Sequence, residues 1–215
     1  MMRRLSLCLA AVLSVVLLGG AGVAPPQRFR HSYTDDQKAL LDRLSASLNA
    51  LHSLKARFIQ IGPDGGVDQG MLYIQKPGQI RFEFAPPSTL LIVATGGQVY
   101  VKNTKLNTVD RYALSDTPLD LLLNQNLDLK DTRAVMDVAE KNGAVIVQAR
   151  TTNARNTSNI SLMFTSPGLE LRQWTVKDAQ GGNTTVALQT IEPGVAIDPA
   201  LFTPLQKAPR PSNSR

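Results

Sequence analysis

The chain has 215 residues, with 23 lysines and arginines against 17 aspartates and glutamates, which gives a formal net charge of +6. The basic residues are scattered, and aromatic residues make up only 5% of the chain. Nucleic-acid binding usually requires clustered basic residues, with aromatic side chains for single strands, so the composition argues against a nucleic-acid partner.

The first 24 residues have the pattern of a secretory signal peptide. Arg3 and Arg4 form a basic start, an apolar run follows, and small residues end the segment. Cleavage among residues 21–24 fits this pattern, and an uncleaved interfacial anchor is the alternative. The single cysteine, Cys8, lies inside the segment. We therefore expect an exported protein without disulfides or a lipid-modified cysteine, as suits a bacterial periplasm.

The first predicted helix begins at Thr34. The Thr34 hydroxyl can cap the helix, and Gln37 three residues later completes a capping box. Leucines then recur at helical spacing and predict one apolar stripe to about residue 51: Leu40, Leu41, Leu44, Leu48 and Leu51. The stripe either packs on a sheet as ordinary core or forms one wall of a cavity.

Six short strands are predicted between residues 55 and 113. The alternation of apolar and charged residues is strictest at 80–84, which is typical of a half-buried antiparallel strand. Turns that contain proline and glycine separate the strands. The alternation places these apolar residues on one face: Leu72, Ile74, Ile80, Phe82, Phe84, Leu90, Ile92 and Ala94. That face covers either the core of the protein or an apolar ligand.

A second, short helix is predicted to begin at Pro118. Asp116 or Thr117 is the expected cap, and Pro118 suits the first helical position. The helix is rich in leucine, at Leu119, Leu121, Leu122 and Leu123. So many leucines on a two-turn helix must lie on the sheet or on a ligand.

The second half of the chain repeats the strand pattern. Strands are predicted at 134–140, 144–150, 160–165, 169–176 and 184–191, and a short helical turn at 198–202. An exposed loop is expected at 151–158, and a disordered basic tail at 206–215. The sum predicts a single domain over residues 25–205 of the α+β class, mostly β. We expect a strongly curved antiparallel sheet of about eleven strands with the helices on its concave face.

Catalytic residues are scarce in this sequence. His31 and His52 are the only histidines, and neither has a metal-ligand partner at a useful spacing. We find no motif for a nucleophile, a phosphate loop or a dinucleotide. Glu83 and Asp110 could meet across strands, but solvated charges are the expected outcome. We therefore predict no enzymatic activity, no metal and no cofactor.

Several short motifs lie between residues 40 and 204. They are Ala56-Arg57-Phe58-Ile59-Gln60, Gly70, Lys76-Pro77-Gly78-Gln79-Ile80-Arg81-Phe82-Glu83, Leu91-Ile92-Val93, Gly96, Asn103, Thr117-Pro118 and Asp198 to Phe202. In this order and spacing the chain resembles the periplasmic outer-membrane lipoprotein carrier family of the LolA type. The resemblance implies an open half β-barrel with α-helices as a lid over its mouth.

The resemblance also implies partners. The expected protein is a soluble shuttle that takes acylated lipoproteins from an inner-membrane ABC-type release complex and delivers them to an outer-membrane lipoprotein acceptor. We expect a monomer. The family typically carries an arginine before the proline of the first turn, and that arginine fastens the lid. Here the position is Lys76, which can donate a hydrogen bond but lacks the planar, multi-donor head of arginine.

We hypothesise that the concave face binds acyl chains. Its lining would be Phe58, Leu72, Ile74, Ile80, Phe82, Phe84 and Ile92; its lid Leu44, Leu48, Leu119, Leu122 and Leu123; and its latch Lys76. Ordinary core is the alternative for the same residues, because alternation alone does not separate a core from a cavity. The alternative function is a periplasmic lipid- or lipoprotein-sensing adaptor of the same fold that regulates a membrane partner.

Overall fold

The structure is a computed structural model that describes residues 33–131, 134–150, 159–178 and 180–206. The predicted signal peptide, His31, the predicted loop at 151–158 and all but the first residue of the predicted tail lie outside these ranges. No helix within the described ranges is long and apolar enough to cross a bilayer.

The first helix, α1, spans Asp35–Ala50 and begins with the predicted capping box. Thr34 Oγ1 accepts a hydrogen bond from the backbone N–H of Gln37, and Gln37 Oε1 accepts one from the N–H of Thr34. Two backbone donors at the helix start are thereby satisfied. The predicted leucine stripe faces the core: Leu41, Leu44 and Leu48 are buried, and Leu40 and Leu51 pack at its margins.

Within the described ranges, eleven antiparallel strands form one sheet. They are β1 (Ser53–Ile61), β2 (Val67–Gln75), β3 (Gln79–Phe84), β4 (Leu90–Thr95), β5 (Gln98–Asn103), β6 (Thr108–Ala113), β7 (Val135–Lys141), β8 (Ala144–Arg150), β9 (Asn159–Thr165), β10 (Leu171–Lys177) and β11 (Asn183–Pro193). The order across the sheet is β6-β5-β4-β3-β2-β1-β11-β10-β9-β8-β7. Strands β1 and β11 join two meanders, and β6 and β7 are open edges. The predicted fold, a mostly β open sheet with few helices, is confirmed.

Some predicted boundaries differ from the structure. Strand β1 begins at Ser53, two residues earlier than predicted, so it follows α1 almost directly. Strand β10 begins at Leu171 rather than at residue 169. Leu169 has a φ of 53°, which is not a strand conformation, and it belongs to the turn after β9.

The second helix, α2, spans Leu119–Leu123 and follows a 3-10 turn at Leu114–Asp116. The predicted cap was wrong, because Pro118 occupies the N-cap position and no side chain caps the helix. Thr117 Oγ1 instead donates to the Leu114 carbonyl over 2.8 Å. Packing of the α2 leucines therefore positions this helix more than capping does.

The two faces of the sheet are covered differently. Helices α1 and α2 lie over the apolar concave side chains and form the main core with them. On the convex face, residues 195–206 run across β3 and β4, and we call them the C-terminal strap. The strap contains the predicted helical turn, Pro199–Phe202, which Asp198 caps and in which Phe202 is buried. Arg81 Nη1 fixes the strap by donating to the Leu201 carbonyl over 3.0 Å.

Candidate functional site

The residues predicted to line a cavity form one continuous apolar face on the concave side of β1–β4. The strand register sets Leu72 opposite Phe82, and Phe82 opposite Ile92. Ile92 is half-buried, and the other six residues are buried: Phe58, Leu72, Ile74, Ile80, Phe82 and Phe84. The structure therefore brings the whole predicted set together on one surface.

An aromatic cluster lies at the middle of this face. The Phe58 ring meets Phe82 and Phe84 edge-on, with centroid distances of 5.4 and 5.1 Å. Trp174 of β10 meets Phe82 edge-on at 6.2 Å. Each such pair contributes about 0.5–1.5 kcal/mol beyond simple burial. The sequence did not indicate Trp174 as part of the face, because the pairing of β1 with β11 that carries it there joins distant parts of the chain.

Close backbone contact makes room for the aromatic cluster at Gly70. A Cβ atom on Gly70 would lie 1.9 Å from the Glu83 carbonyl oxygen and 2.9 Å from the Phe58 ring. Real Cβ atoms do not approach other atoms so closely, so this position requires glycine.

The residues predicted to form a lid lie on α1 and α2. Leu44 and Leu48 of α1 and Leu122 and Leu123 of α2 are buried in the same core as the concave face. Leu119 is only partly buried and packs at the margin of this core. In this structure both helices cover the concave face.

One turn, between β2 and β3, binds both lid helices. Lys76 Nζ donates to the carbonyl of Leu48 over 2.8 Å, and the backbone N–H of Lys76 donates to the carbonyl of His52 over 2.8 Å. Two residues later, the N–H of Gly78 donates to the carbonyl of Leu123 over 3.0 Å. Residues 76–78 thus tie the end of α1 and the end of α2 to the same point of the sheet.

Lys76 is a buried cation, with only 6% of its surface exposed. Among the described residues, no carboxylate lies within ion-pair distance of its Nζ. Burial lowers the pKa of Lys76 from the ordinary 10.5 to about 8. The hydrogen bond to Leu48 therefore carries a desolvation cost, which limits how strongly the closed position of α1 is favoured.

Two polar residues on the buried side of α1 tie this helix to the connection between α2 and β7, and sequence reasoning missed both. Ser45 Oγ donates to the Leu41 carbonyl and accepts from the N–H of Leu129 over 3.0 Å. Asn49 makes a reciprocal pair with Leu127, at 2.9 Å in each direction. A small polar residue within the leucine stripe was the available signal, because a buried polar group needs a partner.

The start of α1 is tied to the edge strand β7. Tyr33 Oη donates to the Val135 carbonyl over 2.9 Å, and Gln37 Nε2 donates to the Val138 carbonyl over 3.1 Å. Burial, and to a smaller extent the negative charge of Asp137, raises the pKa of Tyr33. Helix α1 is therefore held at both ends.

Two of the cavities among the described residues lie at the margins of α1 and α2 rather than beneath these helices. The first, of about 350 Å³, lies beside α2 and is lined by residues that include Leu121, Leu127 and Ile160. The second, of about 480 Å³, lies between α1 and β7. None of the seven predicted cavity-lining residues borders either cavity. The predicted cavity-lining residues instead pack with the leucines of α1 and α2 in one core cluster.

Metal-ligating side chains are not clustered in the described ranges, where no group of His, Cys, Asp or Glu residues could hold a metal ion. His52 lies exposed just after α1 and contributes its backbone carbonyl, which accepts from Lys76.

Comparison with known proteins identifies a family that this sequence matches. The sequence matches the family described as outer membrane lipoprotein carrier protein LolA over residues 49–204. The outer-membrane lipoprotein carrier protein of Dechloromonas aromatica is 28% identical over 171 residues, which cover 75% of this chain and 81% of the relative. That of Methylococcus capsulatus is 27% identical over 172 residues, which cover 74% and 80%.

Solved structures show weaker likenesses. A putative outer membrane lipoprotein-sorting protein domain from Vibrio parahaemolyticus has a TM-score of 0.48 at 8% identity, and the match covers 78% of this chain and 95% of that chain. The MucA/MucB complex of Pseudomonas aeruginosa has a TM-score of 0.44 at 11% identity, covering 79% and 61%. Likenesses this weak carry no argument about function.

Proposed function

We propose, from the premise that this chain belongs to the outer membrane lipoprotein carrier protein (LolA) family, that it holds the acyl chains of lipoproteins against the concave face of its sheet. The proposal places the protein in the periplasm. It would receive acylated lipoproteins from an inner-membrane ABC-type release complex and pass them to an outer-membrane lipoprotein acceptor. Binding and release require no catalytic step.

The observation that carries the proposal is the kind of cover that lies over the concave face. Two helices cover it, and α2 has only five residues and no side-chain cap. The hydrogen bonds of Lys76 and Gly78 to the lid use groups in a turn, outside the strand ladder. The lid can therefore lift without breaking a strand pair, whereas ordinary core packed between two sheets could not open in this way.

The energetics favour an exchange between leucines and acyl chains. Lifting the lid exposes four buried leucines, Leu44, Leu48, Leu122 and Leu123, at about 1.5–3 kcal/mol each, or roughly 6–12 kcal/mol. An acyl chain of about sixteen carbons gains about 12 kcal/mol when it leaves water. Because the two quantities are similar, cargo can displace the lid and a competing acceptor can reverse the exchange.

Lys76 has the predicted latch role in this proposal. In the closed lid it donates to Leu48, and in the open lid its ammonium would return to water. A Lys76→Leu variant cannot donate this bond, so we expect the rate of cargo release to the acceptor to change. Unchanged release kinetics would remove Lys76 from the mechanism.

Photo-crosslinking tests the proposal without altering the concave face. Spheroplasts labelled with a diazirine-bearing palmitate would be incubated with the purified protein and irradiated. The adducts in the soluble fraction would then be mapped by mass spectrometry. We expect acylated polypeptides in the soluble fraction, with adducts on β2–β4 at residues such as Phe82 and Ile92. Adducts confined to the convex face, or no solubilised lipoprotein, would reject the carrier function.

A further inference from the structure

The convex face of β1–β6 is strongly basic. Because side chains alternate along a strand, this face holds the residues that lie between the buried concave ones. Its charged members are Lys55, Arg57, Arg81, Lys102 and Arg111, against Glu83 alone. The C-terminal strap that crosses β3 and β4 on this face adds the exposed Asp198, so five positive charges less two negative leave a net charge of +3.

Three of these cations have no carboxylate partner among the described residues: Arg57, Lys102 and Arg111. Lys102 Nζ donates to the backbone carbonyl of Gln206, and the Arg111 guanidinium lies over the Tyr100 ring at 5.3 Å. Neither contact neutralises the charge. By contrast, Lys55 faces Glu192 at 3.5 Å, and Arg81 is paired with Glu83 at 2.5 Å.

The opposite side of the molecule is acidic. Residues 34–51 and 114–131, which cover the concave face, contain seven aspartates and three basic residues, a net charge of −4. The seven are Asp35, Asp36, Asp42, Asp116, Asp120, Asp128 and Asp131. The protein thus has a positive convex side, which we call the back, and a negative lid side. This charge separation orients the protein in an electric field.

We propose that the convex face of β1–β6 docks on an anionic lipid surface with the lid side turned away from the bilayer. Phosphate headgroups attract the unpaired cations and repel the aspartates of the lid side, so both charges favour one orientation. The apolar concave face is then directed away from the membrane lipids that could occupy it. The inference depends on the charge distribution and not on the proposed carrier function.

Two features favour a lipid surface over an acidic protein. Both cavities described above border the lid, and neither is lined by a convex-face residue of β1–β6. Protein interfaces depend on a few side chains that fill pockets, whereas headgroups are attracted by charges spread over a surface. The half-buried Tyr73 and Tyr100 also lie on this face, and tyrosine is favoured where an apolar and an aqueous medium meet.

Vesicle co-sedimentation tests the proposal. The probes are vesicles of phosphatidylcholine, with or without phosphatidylglycerol, at low and at physiological salt. A back variant combines Arg57→Gln, Lys102→Gln and Arg111→Gln. A control variant with the same net charge combines Lys38→Gln, Arg43→Gln and Lys141→Gln, at exposed positions away from the convex face of β1–β6. We expect the wild type to prefer the anionic vesicles, and the back variant to lose about 100-fold in partitioning, at about fivefold for each cation.

The control variant distinguishes location from total charge. If it binds anionic vesicles as the wild type does, the convex face is the docking surface. An equal loss in both variants would show that only net charge matters and would overturn the proposal. A wild type that ignores anionic vesicles but binds immobilised polyglutamate through the same three cations would make the face a protein-docking surface instead.

The orientation has its own measurement. An environment-sensitive dye on Leu106→Cys reports from the turn beside the convex face, and one on Gln125→Cys reports from the lid side; both positions are exposed. We expect only the Leu106→Cys dye to respond to anionic vesicles. A response of the Gln125→Cys dye alone would reverse the orientation and overturn the proposal. Neither readout depends on lipoprotein cargo, so failure of the carrier function would leave this test intact.

Discussion

Lys76 and Leu48 join the sheet to α1 through one hydrogen bond, in which Lys76 Nζ donates to the Leu48 carbonyl oxygen over 2.8 Å. The donor is buried and lacks a carboxylate partner among the described residues, so the folded protein holds the pKa of Lys76 at about 8. This hydrogen bond therefore links the lid to pH in a way that an arginine, which stays charged, would not.

The first prediction concerns stability against pH. Below pH 8 both the folded and the unfolded chain keep the Lys76 proton, and the cost of burying the charge is fully present. Between about 8 and 10.5 the folded chain loses this proton while the unfolded chain retains it. The unfolded state then binds more protons, so the contribution of Lys76 to the free energy of unfolding rises with pH. We expect a rise on the order of 1–2 kcal/mol, allowing for screening by water.

Denaturant unfolding at several pH values from 7 to 10.5 measures this contribution. In Lys76→Arg the charge persists over the whole range, so the rise should be absent from the variant and should appear in the difference between wild type and variant. The matched control is Lys141→Arg at the exposed end of β7, which should reproduce the wild-type curve. Parallel curves for Lys76→Arg and wild type would show that Lys76 does not titrate in this range.

The second prediction concerns Gly70 and the aromatic cluster. A methyl group there would overlap the Glu83 carbonyl and press on the Phe58 ring. Relief requires a shift of β2 against β3, and we expect Gly70→Ala to lower the free energy of unfolding by about 2–4 kcal/mol. Gly66→Ala is the control, because its Cβ would meet only the flexible Asp64 side chain, at 3.1 Å or more. Equal stabilities of the two variants in urea titrations would contradict the close contact at Gly70.

Local pattern predicted most of the fold, because most of its elements are specified by neighbouring residues. The capping box of Thr34 and Gln37 correctly predicted the start of α1, and the alternation of Ile80, Phe82 and Phe84 identified the concave face. The prediction failed at the α2 cap, where polar residues suited to capping precede Pro118 but the helix starts after it. A five-residue helix is positioned by tertiary packing, which local rules do not contain.

Contacts between distant residues could not be predicted in the same way. Trp174 reaches the concave face only because β1 pairs with β11, and the sequence pattern of neither strand specifies that pairing. The partners of Ser45 and Asn49 lie in the α2–β7 connection, which had no regular pattern to place it. Lys76 was indicated as the latch by family resemblance, but its burial without a carboxylate partner among the described residues emerged only from the structure.

The third prediction concerns Ser45, which ties α1 to the α2–β7 connection. In Ser45→Ala the N–H of Leu129 loses its acceptor in a buried site, at a cost of about 1–3 kcal/mol. We expect the amides of Leu127 and Leu129 to exchange faster with deuterium while those of the central strands keep their protection. Ser47→Ala is the control, because Ser47 donates to Leu169 on the other side of α1. Faster exchange at Leu129 in both variants would contradict a specific role for Ser45.

The fourth prediction separates a lid from ordinary core at Ile80. This side chain is 0% exposed, and a carboxylate in its place would be buried without a partner while the lid is closed. If the lid opens, the carboxylate reaches water while the strand pairs persist. We therefore expect Ile80→Glu to keep its sheet by circular dichroism, to lose amide protection in α1 and α2, and to capture no acylated lipoprotein.

Val93→Glu is the matched control for this test, because Val93 is equally buried but lies on the convex face of the neighbouring strand, where the C-terminal strap crosses. A carboxylate there should loosen the strap and leave lipoprotein capture intact, since it never meets the concave face. Global unfolding of Ile80→Glu, with no loss confined to α1 and α2, would identify the concave residues as ordinary core. An Ile80→Glu protein that folds and carries cargo normally would equally exclude this face as the lipid site, because a charged group would then lie unopposed among the acyl chains.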